Sequence, residues 1–240
     1  MQKGRAVALT LVALIAATAV AVAAGDVQRV TNKQGAFKTA ASGRHAAPLP
    51  PNTTDDDGLI AIADSFSEYA KSPYWAWSEA SVNGPSYSGQ PEVWTAAPFT
   101  PRADGAATKL EVAAIWSYGP NGLVLSLDKD ARGVPGSAIK AWKLTNLPQS
   151  LCCAVEAVED KAGLRLRAGA KYWVVLSTDA SEAGTSAGWA LSELGQIHGA
   201  TMAQYCSDDH GGSCTSYGLK NDAWTAFHSL YGVAFAVLGK

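Results

Sequence analysis

The chain has 240 residues, of which 48% are hydrophobic and 17% charged, and its formal net charge is −2. This length suffices for one full domain with its own core, and all-β domains reach it undivided. The near-neutral charge lacks the basic excess of a nucleic-acid binder, and the apolar content is too high for a disordered chain.

The first residues read as an export signal. Lys3 and Arg5 precede an uncharged apolar run over residues 6–22, and Ala21-Val22-Ala23 fits the small-residue cleavage pattern. The run lies at the short limit for crossing a bilayer, so a signal peptide over 1–23 is expected rather than a retained anchor. The first cysteine is Cys152, far from the cleavage point, and no second run is long enough to span a membrane. The expected location is therefore secreted, either periplasmic or extracellular.

Residues 24–57 read as a disordered linker or extended tether. Phe37 is their one aromatic, they close on a Pro-rich and Asp-rich stretch, and their charges cancel. From residue 58 the pattern changes. Short apolar runs recur between clusters of Gly, Pro, Asn, Asp and Ser, which predicts many short strands joined by turns. All eight Trp lie between Trp75 and Trp224.

Residues 58–69 read equally well as helix or strand. Residues 110–116 alternate, with Leu110, Val112, Ala114 and Trp116 on one face, and Leu123, Leu125 and Leu127 define the next strand. Between them, residues 118–122 predict a hairpin turn in which Asn121-Gly122 takes positive φ. Residues 130–136 predict a second turn, followed by a strand over 138–144. Residues 171–177 give the strongest strand, with Tyr172, Val174 and Leu176 opposite Trp173 and Val175, so one of the Tyr172-Trp173 pair is expected to face outward or toward a loop. A last strand is expected over 233–238. No long amphipathic helix and no solenoid repeat interrupts the series. The predicted fold is all-β, a single antiparallel two-sheet β-sandwich over 58–240.

Four cysteines, Cys152, Cys153, Cys206 and Cys214, follow the signal into an oxidising compartment. Three pairings are open. The favoured one joins Cys206 to Cys214 across a hydrophilic loop with two glycines, leaving Cys152 and Cys153 as a vicinal pair or free; the rival joins the adjacent pair to the loop pair. Adjacent cysteines do not match zinc-knuckle spacing.

Residues that could carry chemistry are few. Gly184-Thr185-Ser186-Ala187-Gly188 matches the nucleophile-elbow pattern, with Asp208 and His210 downstream. Its flanks read as loop before and strand after, whereas an elbow needs a strand before and a helix after, so a flexible inter-strand loop is expected. The histidines His45, His198, His210 and His228 form no i, i+4 metal pair. The scattered glutamates do not define a glycosidase pair. Acidic loops at Asp55-Asp56-Asp57, Asp128-Lys129-Asp130 and Asp208-Asp209 offer oxygen ligands for calcium without EF-hand spacing. Trp75 and Trp77 share a face if extended, and a flat aromatic pair can stack on sugar rings.

Three segments form an ordered series. They are Trp94-Thr95-Ala96-Ala97-Pro98-Phe99-Thr100-Pro101, then Gly133-Val134-Pro135-Gly136 with residues 138–146, then Leu164 through Ala168-Gly169-Ala170-Lys171-Tyr172-Trp173-Val174-Val175-Leu176. The series resembles the choice-of-anchor type extracellular β-sandwich domains of bacteria over residues 90–191, and more loosely at 234–239. The resemblance implies a secreted, jelly-roll-like sandwich at or beyond the bacterial surface, and it offers no catalytic residues to carry over. Members often end in a sorting signal. This sequence stops at Lys240 after the last predicted strand, so free secretion or periplasmic residence is expected in place of anchoring.

The expected function is a secreted, non-catalytic binding or structural protein whose partner is an extracellular polysaccharide or protein, with no required cofactor. The alternative is a carbohydrate-binding module contacting its ligand through Trp75, Trp77, Asp208 and Asp209, with calcium held by the acidic loops. A hydrolase using Ser186 is the third reading.

Overall fold

The computed structural model describes residues 28–29, 58–66, 75–149, 155–179, 181, 183–192, 200–209, 211–229 and 231–240. The expected signal peptide, most of the expected linker, and Cys152 and Cys153 lie outside the described residues. Fifteen strands are described: β1 (Gln28–Arg29), β2 (Ile60–Asp64), β3 (Trp75–Asn83), β4 (Glu92–Phe99), β5 (Gly105–Val112), β6 (Ala114–Tyr118), β7 (Gly122–Asp130), β8 (Pro135–Thr145), β9 (Glu156–Leu166), β10 (Tyr172–Ser177), β11 (Ser186–Ser192), β12 (Ala200–Ser207), β13 (Ala223–Ser229), β14 (Gly232–Val233) and β15 (Phe235–Gly239). Within the segment that reads as helix or strand, Ile60–Asp64 form the strand β2, and residues 67–69 lie outside the described residues.

The strands form two sheets that pack together as an all-β sandwich. The smaller runs β2-β15-β5-β9, and the larger runs β1-β8-β7-β10-β4 before it forks. At the fork, Glu92–Ala96 of β4 pair with β12, Thr95–Phe99 pair with β10, and Val93 bridges Asn83 of β3. From there one arm continues through β12 to β13 and the other through β3 to β11. Among the described strands only β1, in the expected linker, pairs in parallel, with β8.

Alternation builds the core. Leu123, Leu125 and Leu127 of β7, Val174 and Leu176 of β10, and Trp142 and Leu144 of β8 point inward from the large sheet. Leu110, Val112, Val158, Phe235 and Val237 meet them from the small one. Burying each such side chain contributes about 1.5–3 kcal/mol against its exposed state. Lys140 of β8 reaches Asp160 of β9 at 2.7 Å and ties the sheets at one edge.

Two predicted strands prove to be broken strands. β5 and β15 pair in the small sheet up to Val112↔Phe235. At Ala113 and Ala234 they part and run along one edge of β11, where β6 pairs with Ser186–Trp189 and β14 with Leu191–Ser192. Residues 110–116 and 233–238 thus each switch sheets, and Leu110 and Trp116 do not share one face of one strand. The junction is closed by backbone bonds. Ala113 N–H donates to Ala234 O (3.2 Å), Ala234 N–H to Ala190 O (2.9 Å), and Ala190 N–H to Ala113 O (2.9 Å). The three alanines are buried against one another, with Phe66 and Val155 packed beside them. The Trp189 indole N–H donates to Ala234 O at 2.8 Å.

The expected hairpin at 118–122 is not formed, because β6 pairs with β11 while β7 pairs with β8 and β10. Positive φ falls on Gly119 (78°), whose backbone lies against Gly184, and not on Asn121-Gly122. The Asn121 side chain instead brackets Leu147, donating to its carbonyl and accepting from its N–H. The turn at 130–136 does form a hairpin, with Arg132 and Gly133 at positive φ.

Candidate functional site

The outer face of the large sheet carries what the core does not use. On β4, Val93, Thr95, Ala97 and Phe99 point one way, and Trp94, Ala96 and Pro98 the other. Register then places Trp94 opposite Tyr205 of β12, and Tyr205 opposite Trp224 of β13. The Trp94 and Tyr205 rings stack at 4.5 Å with 28° between planes. The Trp224 ring tilts beside them, 6.0 Å from Tyr205 and 6.4 Å from Trp94. These separations suit favourable aromatic pairing. All three side chains remain partly exposed, forming a ladder of rings across three strands.

Carboxylates rim the ladder. Glu92 sits two residues before Trp94 on the same face and accepts the indole N–H at 3.1 Å. Burial raises the Tyr205 phenol above its ordinary pKa. Asp222, Glu92 and Asp209 add negative charge that raises it further, against an opposing hydrogen bond with Ser207. The phenol therefore stays protonated as a donor and acceptor at neutral pH.

The loop beneath the ladder is clipped. Cys206 and Cys214 form a disulfide with Cα atoms 5.8 Å apart, the pairing the sequence favoured. Cys206 follows Tyr205 and faces the other side of the sheet, where it packs with Val93, Cys214 and Leu219. Asp222 N–H donates to Cys206 O at 2.7 Å, and Asp208 N–H to Asn221 Oδ1 at 2.9 Å. Gly212 has φ of 76°, and a Cβ there would lie 2.4 Å from the Pro91 nitrogen, so glycine alone permits the loop to seat on the β3–β4 connection. Tyr217 reinforces that seat by donating its hydroxyl to Gln90 Oε1 at 2.5 Å.

The residues singled out from sequence fall unevenly around this site. Asp208 and Asp209 lie directly after β12, half-buried and exposed respectively. Trp75 and Trp77 lie in β3, but their side chains fall outside the described residues, as do Asp55, Asp56, Asp57, His45, His198 and His210. Ser186 opens β11 and donates its hydroxyl to Asn83 Oδ1 at 3.1 Å; the expected loop ends one residue earlier, and a strand follows where an elbow has a helix. Tyr172 and Trp173 point to opposite faces, and Trp173 faces outward and toward the 130–136 turn as expected, yet both are buried. Tyr172 joins the core. Trp173 lies on the outer face with Ala96, Val175 and Ala203 and donates its indole N–H to Asp130 at 2.8 Å. Neighbouring Asp128 is buried and accepts from Ser126 Oγ at 2.7 Å. Desolvation lifts its pKa to about 6, opposed by that hydrogen bond. Among the described residues, no group of three or more His, Cys, Asp or Glu gathers as a metal site requires.

Sequence reasoning missed the ladder because its members are far apart in the chain. A signal was present at Trp94, an aromatic in step with Glu92 on the polar side of an alternating strand. The partners become visible only through strand register. No family model matches the chain, and no curated protein matches it.

Proposed function

We propose that this protein is a secreted, non-catalytic binding domain and that the Trp94–Tyr205–Trp224 ladder is its ligand surface, with a glycan chain as the ligand. The observation that carries the reading is the register that brings three partly exposed rings together on one sheet face. The partly exposed portions of these rings offer apolar contact area to the C–H groups of sugar rings. The rim of carboxylates and the Tyr205 hydroxyl supply hydrogen-bond partners for sugar hydroxyls. Large aromatic area held partly exposed by neighbouring rings loses little conformational entropy on binding. Secretion is supported by the N-terminal signal pattern and by the Cys206–Cys214 disulfide, which suits an oxidising compartment.

The test is binding of the purified mature protein to an immobilised glycan panel, with and without EDTA. Binding that falls at least tenfold, about 1.4 kcal/mol, in Trp94→Ala and Trp224→Ala supports the reading. Sensitivity to EDTA would add calcium to it. No binding across the panel, or binding unchanged by both substitutions, overturns it and moves the search to protein partners.

A further inference from the structure

A sheet edge offers a row of unpaired backbone N–H and C=O groups, and folds normally blunt it with charged side chains, proline, a bulge or a cover. Other described edges of this molecule are blunted in these ways. β9 carries Glu159, Lys161 and Arg165. β8 carries Lys140 and Lys143 and is met by β1. β2 is five residues long and is interrupted by a register shift. β13 is different. Its seven residues, Ala223-Trp224-Thr225-Ala226-Phe227-His228-Ser229, include no Lys, Arg, Asp, Glu, Pro or Gly. Its pairing with β12 runs from Cys206↔Ala223 to Ala200↔Ser229 without a shift, so no bulge turns the edge away. Among the described strands β12 is its one partner, and Ala226 and His228 are exposed.

Such an edge is its own complement. Set antiparallel about a twofold axis at Ala226, the middle residue, two copies of β13 overlap over their whole length. Ala226 then meets Ala226, Thr225 meets Phe227, Trp224 meets His228 and Ala223 meets Ser229. Small side chains lie at the axis, aromatic side chains face β-branched or aromatic ones beside it, and no like charges are opposed. A twofold pairing also uses up the open edge of both molecules, whereas a head-to-tail pairing leaves one β13 open at each step and propagates.

We propose that β13 pairs with β13 of a second copy of this chain, antiparallel about that axis, and that the protein is a closed dimer joined through its large sheets. Trp224, Ala226 and His228 share the outer face, so the outer faces of the two copies continue into one another and carry both ring ladders. The dimer does not depend on what the ladder binds.

The experiment measures the mass in solution of the full mature protein by sedimentation equilibrium over a dilution series. A reversible monomer–dimer equilibrium is expected. Ala226→Lys adds a side chain at an exposed position, which the monomer accommodates, but sets two lysines opposite each other at the axis. It is expected to weaken dimerisation by about tenfold or more, less so at high salt, and to leave the circular dichroism of the dilute protein unchanged. Directly opposed residues of an antiparallel pair have Cα atoms about 4.5–5.5 Å apart, within disulfide range. Ala226→Cys is therefore expected to link two chains under mild oxidation, beyond any link in the unsubstituted protein, and His228→Cys, which faces Trp224 of the second copy, is not. A mass that stays monomeric at every concentration overturns the proposal. So does a dimer that Ala226→Lys leaves intact and Ala226→Cys fails to link. Species that grow past the dimer with concentration overturn the closed twofold.

Discussion

At Ala113, Ala190 and Ala234, strands from both sheets meet with their side chains enclosed and their backbone groups bonded to one another. At Trp94, Tyr205 and Trp224, three strands of one sheet carry large rings that stay partly open to solvent. The first region is made of the smallest apolar side chain because the chain must turn a corner there without losing its hydrogen bonds. The second holds large rings that the fold encloses only in part, Trp224 covering the buried Ala96, Trp173, Val175 and Ala203. A corner is shaped by what the backbone requires; a surface that keeps three neighbouring rings partly exposed beside carboxylates is where the proposed ligand would sit.

The contrast is broken most forcefully at Trp189, which packs edge-on against Phe235 and bonds to Ala234 beside the corner. Trp189→Ala is expected to destabilise the fold by about 3–5 kcal/mol in urea unfolding. A loss below about 1 kcal/mol would mean that the corner is not a structural keystone.

The buried part of the outer face responds to pH through Asp128. Its folded pKa, about 6, lies above the value of 3.8 for an ordinary aspartate. The native state therefore holds this proton more tightly than the unfolded chain. The resulting stability is full below about pH 4 and is lost as pH rises through about 6, up to about 3 kcal/mol from this group. Asp128→Asn keeps an acceptor for Ser126 and is expected to flatten that slope and to be more stable at pH 7. Melting curves across this range check it, and an unchanged slope would place the titrating group elsewhere.

The disulfide sharpens the comparison from the other side, since it fixes the loop that carries the rim. Replacing Cys206 and Cys214 together by serine is expected to cost about 2 kcal/mol from the entropy of so short a loop. Glycan binding should weaken with it. Unfolding and binding measured on the same variant test whether the clip serves the site or only the fold.

The smallest effect on stability is expected at the ladder itself. Trp224→Ala should cost about 1–2 kcal/mol, because its ring is partly solvated although it packs on the buried Ala96, Trp173, Val175 and Ala203. Its binding loss should be disproportionate. A large stability loss with binding retained would make the ladder a packing feature.

The candidate site was partly legible before the fold was known. Asp208 and Asp209 lie beside it, and the Cys206–Cys214 pairing was the favoured one of three that the sequence left open. Trp75 and Trp77 drew attention because two aromatics at i and i+2 share a face, which is a local pattern. Trp94, Tyr205 and Trp224 share a face only after β4, β12 and β13 are brought side by side, and no local periodicity encodes that alignment.

The same division holds for the whole molecule. Period-two alternation, turn residues and the lack of a helical period determined an all-β antiparallel fold, because each acts over a few residues of chain. The turn at Arg132-Gly133 and the strand over Tyr172–Ser177 were readable for that reason. Tertiary structure alone decided that two continuous alternating runs would break at Ala113 and Ala234, since both bends depend on β11 supplying partners for the parted strands. It also decided that Trp173 would be buried on the outer face and Trp94 left partly open. Burial depends on what packs above a residue, and alternation fixes only which side of the sheet it faces.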